Sequence, residues 1–260
     1  MTVAHISPSQ VMSYIGCPKR YHLERIEQVP QQPQGALIGG SAVHECIEKA
    51  LGGERVDFAD VFAFLISEVG GADKVRWGGR RSKAYPGGED ESWWLDNAPM
   101  FIRRALDLVL ADREQGWDIF AVEAALNVEM NGHPWRLRAD LIQQHRESGN
   151  LLISDWKSGA RESEFTPFQT ALYAQAASIL FGHPVESISA RCVMLRKDGA
   201  EMVSGYEPAR SIPLALRFAD EFVEGRNNDY WPMRPSGMCV GCSVKAACPF
   251  GQTLGGGEDE

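Results

Sequence analysis

The chain has 260 residues, of which 44% are hydrophobic, enough for one large domain or a core with an appended lobe. Its 26 Lys and Arg residues are outnumbered by 35 Asp and Glu residues, and the net charge of −9 argues against a protein held on nucleic acid by a broad basic surface. No apolar run approaches the ~20 residues of a membrane span, and the first residues lack the pattern of a signal peptide. We therefore expect a cytoplasmic protein without membrane contact.

The N-terminal segment carries a strong helix-start signal. Ser7 is the predicted N-cap, Pro8 takes the first helical position, and Gln10 completes a capping box. This helix runs to about residue 15 and breaks near Cys17-Pro18. Apolar periodicity and capping signals predict further helices at about 37–51, 58–69, 99–116, 167–181 and 208–226. In the fourth of these, Thr166 is the predicted N-cap and Gly182 ends the helix.

An insertion at about residues 70–98 is rich in glycine and charge. It mixes basic and aromatic side chains: Arg76, Arg80, Arg81, Lys83, Trp77, Tyr85, Trp93 and Trp94. This mixture suits a nucleic-acid strand, because phosphates attract cations and bases stack on rings. It equally suits a surface insertion whose tryptophans dock on the core. The acidic run at 89–91 could pair with the arginines when no ligand is bound.

Apolar runs predict strands near 119–130, 134–142, 151–156 and 187–195, with a short partner at 201–206. Asn131-Gly132 is a hairpin signal between the first two strands. Asp140 lies in the second strand. Asp155 closes the third, and Lys157 shares its face because side chains two apart on a strand point the same way. A hairpin pairing can bring the three together, and charged groups on an apolar strand suit a hard divalent cation.

The Pro- and Gly-broken segment at 229–251 cannot bury a core unaided and needs a staple. Cys239, Cys242 and Cys248 form a C-x2-C-x5-C cluster within it, and disulfides are not expected in a reducing compartment. Cys17 is the natural fourth ligand, because proline follows it at a helix break as it follows Cys248. Four thiolates bind zinc or an iron–sulfur cluster, and the spacing leans mildly to the latter. Two remaining cysteines are predicted to be buried small side chains, Cys46 and Cys192.

These features resemble the RecB-like PD-(D/E)XK nucleases that carry an iron–sulfur cluster, which include the CRISPR-associated exonuclease family and the AddB nuclease domain. The resemblance covers nearly the whole chain. It rests on five motifs in order: SPSQVMSYIGCPKRYHL at 7–23, GGSAVH at 39–44, LRADLI at 137–142, SDWKSG at 154–159 and QTALY at 169–173. Two departures are Arg138, where many relatives have glycine two residues before the acid, and Asp155, where many have Glu.

The resemblance implies an α/β fold with a PD-(D/E)XK, restriction-endonuclease-like core, in which helices flank a central mixed sheet. It adds a helical N-terminal part and a C-terminal iron–sulfur-stapled segment. We accordingly expect residues 1–35 to contribute one cluster cysteine and residues 36–228 to form the nuclease core around the insertion. Residues 229–260 would hold the iron–sulfur segment and an acidic tail.

The resemblance also assigns roles to individual residues. His44, by itself more typical of a core histidine, would join Asp140 and Asp155 in holding one or two Mg²⁺ or Mn²⁺ ions, with the Trp156 carbonyl as a further ligand. Lys157 would position or deprotonate the attacking water. Gln169 and Tyr173, four apart on one helix face, would line the site and contact DNA. Glu123, in a preceding strand, is a further candidate for ordering the site or a water. A structural 4Fe–4S cluster would be held by Cys17, Cys239, Cys242 and Cys248.

The resulting hypothesis is a metal-dependent DNA exonuclease acting on single strands or ends, with 5′→3′ polarity as the resemblance implies. A helicase, or a recombination or CRISPR-adaptation machinery, is the implied partner class, since the sequence lacks a nucleotide-binding G-x-x-x-x-G-K-[ST] loop of its own. The alternatives are a non-catalytic DNA-end-binding or adaptor protein that retains the fold, and a zinc-stapled protein without nuclease activity. The intact acids and lysine argue against the adaptor. The oligomeric state stays open.

Overall fold

The computed structural model describes residues 5–79, 81–160, 163, 165–197, 201–202 and 207–254. Arg80, the predicted strand beyond 202 and the acidic tail at 255–260 lie outside the described residues. Helices α1 to α8 span Pro8–Gly16, Pro18–Tyr21, Gly35–Leu51, Phe58–Glu68, Glu91–Glu114, Thr166–Phe181, Pro208–Asn227 and Pro249–Thr253. Strands β1 to β5 span Trp117–Met130, His133–His145, Leu151–Lys157, Ile188–Met194 and Glu201–Met202. Among the described residues, no helix is both long enough and apolar enough to cross a membrane.

The strands form one mixed sheet in the order β1-β2-β3-β4-β5. Strand β3 pairs antiparallel with β2 and parallel with β4, and β5 returns antiparallel to β4. Asn131 and Gly132 join β1 to β2 with left-handed φ values of 52° and 72°, the conformation that a two-residue hairpin turn requires. The predicted central mixed sheet with helices around it is confirmed.

The described residues divide into two compact units. The first contains residues from Met1–Gln32, Asn127–Arg136 and Pro213–Glu260, and the second contains residues from Pro33–Leu126 and Leu137–Ile212. The second unit has a hydrophobic core in which α3, α4 and α5 contribute buried side chains together with β2, β3 and β4. Gly39 on α3 lies so close to the buried Trp94 ring that a Cβ would sit 2.2 Å from it, so only glycine permits this approach.

Helix α5 begins at Glu91, not near residue 99, and the predicted start is wrong by about two turns. The Asp90 carboxylate accepts the Trp93 N–H at 3.1 Å and caps the helix there, and Pro99 is accommodated inside it. Trp93 and Trp94 therefore belong to α5. Trp94 is fully buried, and Trp77 and Trp93 pack against the same core. This arrangement agrees with the alternative in which the tryptophans of the insertion dock on the core.

The predicted N-cap of α6 is also wrong, because Thr166 lies inside the helix. Phe165 occupies the cap position and makes no side-chain capping bond. The Thr166 backbone carbonyl instead accepts a hydrogen bond from the Thr170 hydroxyl at 3.1 Å. The predicted end of the helix is confirmed, since Gly182 adopts a left-handed φ of 70°.

The first unit contains the predicted capping box of α1. The Ser7 N–H donates to Gln10 Oε1 at 2.9 Å, and the Gln10 N–H donates to Ser7 Oγ at 3.4 Å. Helix α1 ends at Gly16, and the extended backbone of Cys17 separates it from α2, as predicted. A π-helical turn at His22–Ile26 follows α2.

An aromatic cluster ties the C-terminal segment of the first unit to its N-terminal helices. The Trp231 ring stacks on Tyr21 at a centroid distance of 6.0 Å and lies 4.9 Å from the His22 ring. The Tyr14 ring meets Phe222 of α7 edge-on at 5.5 Å. The backbone N–H of Lys19 donates to the backbone carbonyl of Pro232 at 3.2 Å. The segment that follows α7 is thus docked by contacts of its own, without reference to its cysteines.

Candidate active site and metal centre

Strands β2 and β3 bring the two predicted acids together in the second unit. Asp140 and Asp155 are both buried, with 8% and 4% of their surface exposed. The backbone N–H of Trp156 donates to Asp140 Oδ2 at 2.6 Å, which links the acid of one strand to the residue that follows the acid of the other. The predicted proximity of Asp140 to the D-W-K segment is thus present in the structure.

Both oxygens of Asp155 have donors from the protein. Lys157 Nζ lies 2.6 Å from Oδ2, and the Gln169 amide donates to Oδ1 at 3.1 Å. The Tyr173 hydroxyl donates to the same Oδ1 at 3.4 Å and accepts from the Gln169 amide at 2.9 Å. Burial opposes the charge of Lys157, but the Asp155 carboxylate outweighs it and raises the pKa of Lys157. Burial, with the nearby carboxylates, raises the pKa of Tyr173 well above its usual value, so this hydroxyl stays a neutral donor.

A separate group of ligand atoms comes from three elements. His44 on α3, Glu123 on β1 and Asp140 on β2 each offer one atom, and these atoms all lie within 4.8 Å of one another. His44 Nδ1 is 3.4 Å from Asp140 Oδ1, the oxygen that Trp156 leaves free. Two carboxylates and an imidazole are a donor set for Mn²⁺ or Mg²⁺, so the residues present fit a divalent cation.

Glu123 owes its place to an unusual backbone. Its φ of 49° lies in the left-handed region, which is uncommon for any residue other than glycine and more so within a strand. The residues at 121–124 are all half-buried, so the in-and-out alternation of β1 is interrupted here. Burial and the neighbouring Asp140 raise the pKa of Glu123, against the effect of Arg138. Glu123 was given too little weight as a candidate ligand on the sequence alone. A strict alternation of buried and exposed side chains along the strand does not predict where a residue at such an interruption points.

Arg138 is the second residue whose place sequence reasoning missed. Its Nε lies 2.5 Å from Glu123 Oε2, and one terminal nitrogen lies 3.9 Å from Glu48 on α3. The side chain is 65% exposed, so it holds Glu123 from the solvent side. The sequence signalled it only as a departure from glycine two residues before the acid.

An open cavity of about 990 Å³ contains this group. Its lining includes all three candidate ligands together with Arg138, Trp156, Lys157 and Ser158. Asp155, Gln169 and Tyr173 are outside the lining and instead contact one another, and Asp155 also contacts Lys157. The candidate site therefore has two parts. One is a set of candidate cation ligands that faces the cavity, and the other is a buried hydrogen-bonded group that orients Lys157.

The four cysteines predicted to hold a cluster all lie in the first unit as free, half-buried thiols: Cys17, Cys239, Cys242 and Cys248. Within the described residues, no three of their sulfur atoms lie within 4.8 Å of one another. Glu24 accepts hydrogen bonds from Arg20 at 2.8 Å and from the hydroxyl of Ser243, and so links the segment after Cys17 to the residue after Cys242. Unpaired and partly exposed thiols on both sides of this link fit a thiolate-ligated group.

The two other cysteines have the predicted environment. Cys46 and Cys192 are fully buried in the second unit. Burial raises the pKa of the Cys46 thiol to about 11, so it stays protonated.

Comparison with known proteins assigns the chain to a class of enzyme. Residues 5–249 match the PD-(D/E)XK nuclease superfamily, and the chain belongs to it. Members of this superfamily are nucleases that use divalent metals. The chain is 26% identical over 200 residues to the Gene 69 protein of Mycobacterium phage D29, across 68% of this chain and 70% of the phage protein. A solved structure described as "Crystal structure of SSO0001" aligns over 92% of this chain and 97% of its own at 15% identity and a TM-score of 0.34, a similarity too low to carry an argument.

Proposed function

We propose that the protein is a RecB-like, metal-dependent DNA exonuclease that hydrolyses single strands or DNA ends with 5′→3′ polarity. The observation that carries this proposal is the convergence of His44, Glu123 and Asp140 on a cavity that Lys157 also lines. Membership of the nuclease superfamily supports the reaction. The substrate and polarity rest on the resemblance of the motifs to RecB-like exonucleases.

The cation ligands in this proposal are His44, Asp140 and Glu123. Asp155 and the Trp156 carbonyl are further ligands of one or two ions that the resemblance implies. A divalent cation bound there would polarise the scissile phosphate and make a nearby water more acidic. The Trp156 N–H keeps Asp140 Oδ2 occupied and so directs Oδ1 towards His44. Two carboxylates so close together otherwise repel each other, which favours a cation between them.

Lys157 is the proposed water-positioning group, and it neutralises charge that develops on the phosphate. The other role that the resemblance implies, deprotonation of the water, does not fit, because the Asp155 carboxylate raises the pKa of Lys157 and keeps it an ammonium. Asp155 holds its ammonium at 2.6 Å, and Gln169 and Tyr173 in turn hold Asp155. Because Tyr173 is 5% exposed, its proposed part is to orient Asp155, while contact with DNA falls to Gln169. This buried group fixes the direction of Lys157 before substrate arrives.

The net charge of −9 supports a narrow track for DNA over a broad binding face. At the cavity the track would use Arg138 and Lys157, both of which line it. The exposed residues Arg81 and Lys83 of the insertion are proposed to extend it. With three tryptophans packed on the core, phosphate attraction carries more of the binding there than base stacking does.

The four cysteines of the first unit are proposed to hold a structural 4Fe–4S cluster. Zinc is the alternative, and measurement of the iron and zinc content of the protein distinguishes the two. A clip between Cys17 and the C-terminal cluster closes a very long loop, and loop closure alone makes such a link stabilising. The proposed division is an N-terminal part at 1–35, a nuclease core at 36–228 and a cluster segment at 229–260. The proposed location is the cytoplasm, with a helicase or a recombination or CRISPR-adaptation machinery as partner.

Digestion of end-labelled single- and double-stranded DNA with Mg²⁺ or Mn²⁺ tests the proposal. We expect the single strand to be shortened from its 5′ end by the wild type, and Asp155→Ala and Lys157→Ala to lower the rate by at least roughly 1,000-fold. Asp118→Ala, on an exposed residue that is not part of the cavity lining, is the control. Binding of DNA ends without cleavage by the wild type would support the adaptor function instead.

A further inference from the structure

Arg196 lies just beyond the end of β4, and its guanidinium contacts two separate parts of the second unit. Nη1 and Nη2 donate to the two carboxylate oxygens of Glu89, at 2.7 and 2.8 Å. Nε donates to the backbone carbonyl of Ser158, the residue after Lys157. One planar side chain thereby joins the insertion to the turn that follows the candidate catalytic lysine.

The position of this guanidinium is fixed by aromatic packing as well. It lies over the Trp93 ring at 4.4 Å from the centroid and 5.7 Å from that of Trp94. The Arg196 side chain is only 14% exposed, and Glu89 only 20%, so solvent screens the pair little. All three nitrogens of the planar guanidinium donate hydrogen bonds, which is a geometry that lysine cannot reproduce.

The turn that Arg196 contacts is part of the candidate active site. Ser158 lines the cavity, and the Leu195 N–H donates to the Lys157 carbonyl at 2.9 Å. A Cβ built on Gly40 would lie 3.0 Å from Ser158 Oγ, so Ser158 packs against α3 one turn before His44. Movement of Ser158 would therefore disturb the lysine on one side and the histidine helix on the other.

We propose that Arg196 is a positioning residue for Lys157, and that Glu89 of the insertion holds Arg196 in place. The inference rests on the nuclease function proposed above and adds two residues to it. It gives the insertion a part in catalysis: its acidic run orients an arginine outside the insertion. The acidic run at 89–91 was predicted to pair with the insertion's own arginines. Its first residue, Glu89, forms a two-pronged pair with Arg196, an arginine outside the insertion.

The test compares Arg196→Lys and Glu89→Gln with the wild type. Arg196→Lys keeps the charge and loses the fork, and Glu89→Gln keeps the shape and loses the charge. Arg146→Ala is the control, because Arg146 also forms a two-pronged pair, through Nε and Nη2 with Asp118 at 2.8 and 2.7 Å, on the exposed surface. We expect both test variants to lower kcat on end-labelled single-stranded DNA roughly 10- to 100-fold, with KM changed less than about twofold.

A second readout does not depend on cleavage. Amide hydrogen exchange of the segment at 157–160 should become at least about tenfold faster in both test variants and stay unchanged in Arg146→Ala. A purely stabilising Arg196 would lower the melting temperature and leave kcat per folded molecule and local exchange unaltered, and that result would overturn the inference. Should Arg196→Lys fail to fold, Glu89→Gln decides by the same two measurements. If the wild type itself does not cut DNA, the nuclease proposal fails, whereas the exchange data still decide whether Arg196 fixes the turn.

Discussion

The backbone N–H of Trp156 donates to Asp140 Oδ2 at 2.6 Å, while Asp140 Oδ1 lies 3.4 Å from His44 Nδ1. One oxygen of the acid is therefore committed to the sheet, and the other is directed to the cavity. Asp140 consequently contacts both the sheet and the candidate cation ligands. A substitution that keeps the hydrogen bond from Trp156 should affect metal binding more than folding.

Asp140→Asn should weaken Mn²⁺ binding at least about 100-fold and reduce cleavage roughly 1,000-fold, because the amide keeps the shape but loses the charge. Titration of Mn²⁺ followed by electron paramagnetic resonance measures the affinity. Asp118→Asn is the surface control and should match the wild type. Unchanged Mn²⁺ affinity in Asp140→Asn would remove Asp140 from the proposed ligand set.

Metal affinity should rise with pH because of His44. Burial opposes its charge, but the hydrogen bond and charge of Asp140 outweigh this and raise the pKa of His44 above its ordinary value near 6.5. In the metal-free protein, the stability contributed by the imidazolium is complete below pH ~6.5 and is lost as the pH rises through the raised pKa. A cation must displace this proton, so Mn²⁺ affinity should increase up to about tenfold per pH unit below that pKa and level off above it. Titrations between about pH 6 and 8.5 measure this, and His44→Gln should flatten the profile.

Arg138→Gln should tighten Mn²⁺ binding by roughly threefold to tenfold. Arg138 pairs with Glu123 at 2.5 Å, so it competes with a cation for that carboxylate and repels the cation at the same time. DNA binding should weaken in the same variant, because the positive charge of Arg138 at the cavity is lost. Arg103→Gln, an exposed helical pair partner of Asp107, provides the control. A weaker Mn²⁺ affinity in Arg138→Gln would mean that Arg138 supports the ligand group.

The buried pair between Asp112 on α5 and Arg191 on β4 should matter for stability. Arg191 donates to both Asp112 oxygens and, through Nε, to Ser154 Oγ at 2.8 Å, and both charged side chains are under 10% exposed. Asp112→Asn removes the negative charge that faces the buried Arg191 guanidinium, so it should cost about 3 kcal/mol in the free energy of unfolding. Asp118→Asn breaks the exposed pair with Arg146 and should cost less than about 1 kcal/mol. Urea denaturation followed by circular dichroism compares them.

Cys242→Ser should abolish the broad absorbance near about 400 nm that an iron–sulfur cluster gives, and lower bound iron in anaerobically purified protein. The far-ultraviolet circular dichroism should change little, because Trp231 stacks on Tyr21 independently of the cysteines. Cys46→Ala, in the core of the other unit, should keep the absorbance. Colourless wild-type protein that contains zinc would contradict the iron–sulfur proposal.

Local signals in the sequence predicted much of the fold. The capping pair Ser7 and Gln10, the turn at Asn131-Gly132 and the helix end at Gly182 each act within a few residues, so their patterns are visible without the structure. The start of α5 was missed because its N-cap, Asp90, lies in a charged, glycine-rich run that gives no apolar periodicity.

Alternation along β2 and β3 located Asp140, Asp155 and Lys157, since their placement follows from strand geometry. The place of Glu123 among the candidate cation ligands could not be predicted in this way, because its left-handed backbone breaks the alternation on which the prediction depends. Arg196 was missed altogether, since its partner Glu89 is 107 residues away in the sequence. Such pairs form only through tertiary packing, for which a single sequence carries no local signal.

The division of the chain into units has a consequence for its synthesis. The residues of the candidate active site all belong to the unit that ends at Ile212 and has its own hydrophobic core, whereas the other unit needs residues from 213 onward. Domains fold in the order in which a ribosome releases them. We therefore expect the unit that holds the candidate site to begin folding on the nascent chain while Trp231 and the last three cysteines are still untranslated, so that this step would not depend on the proposed cluster.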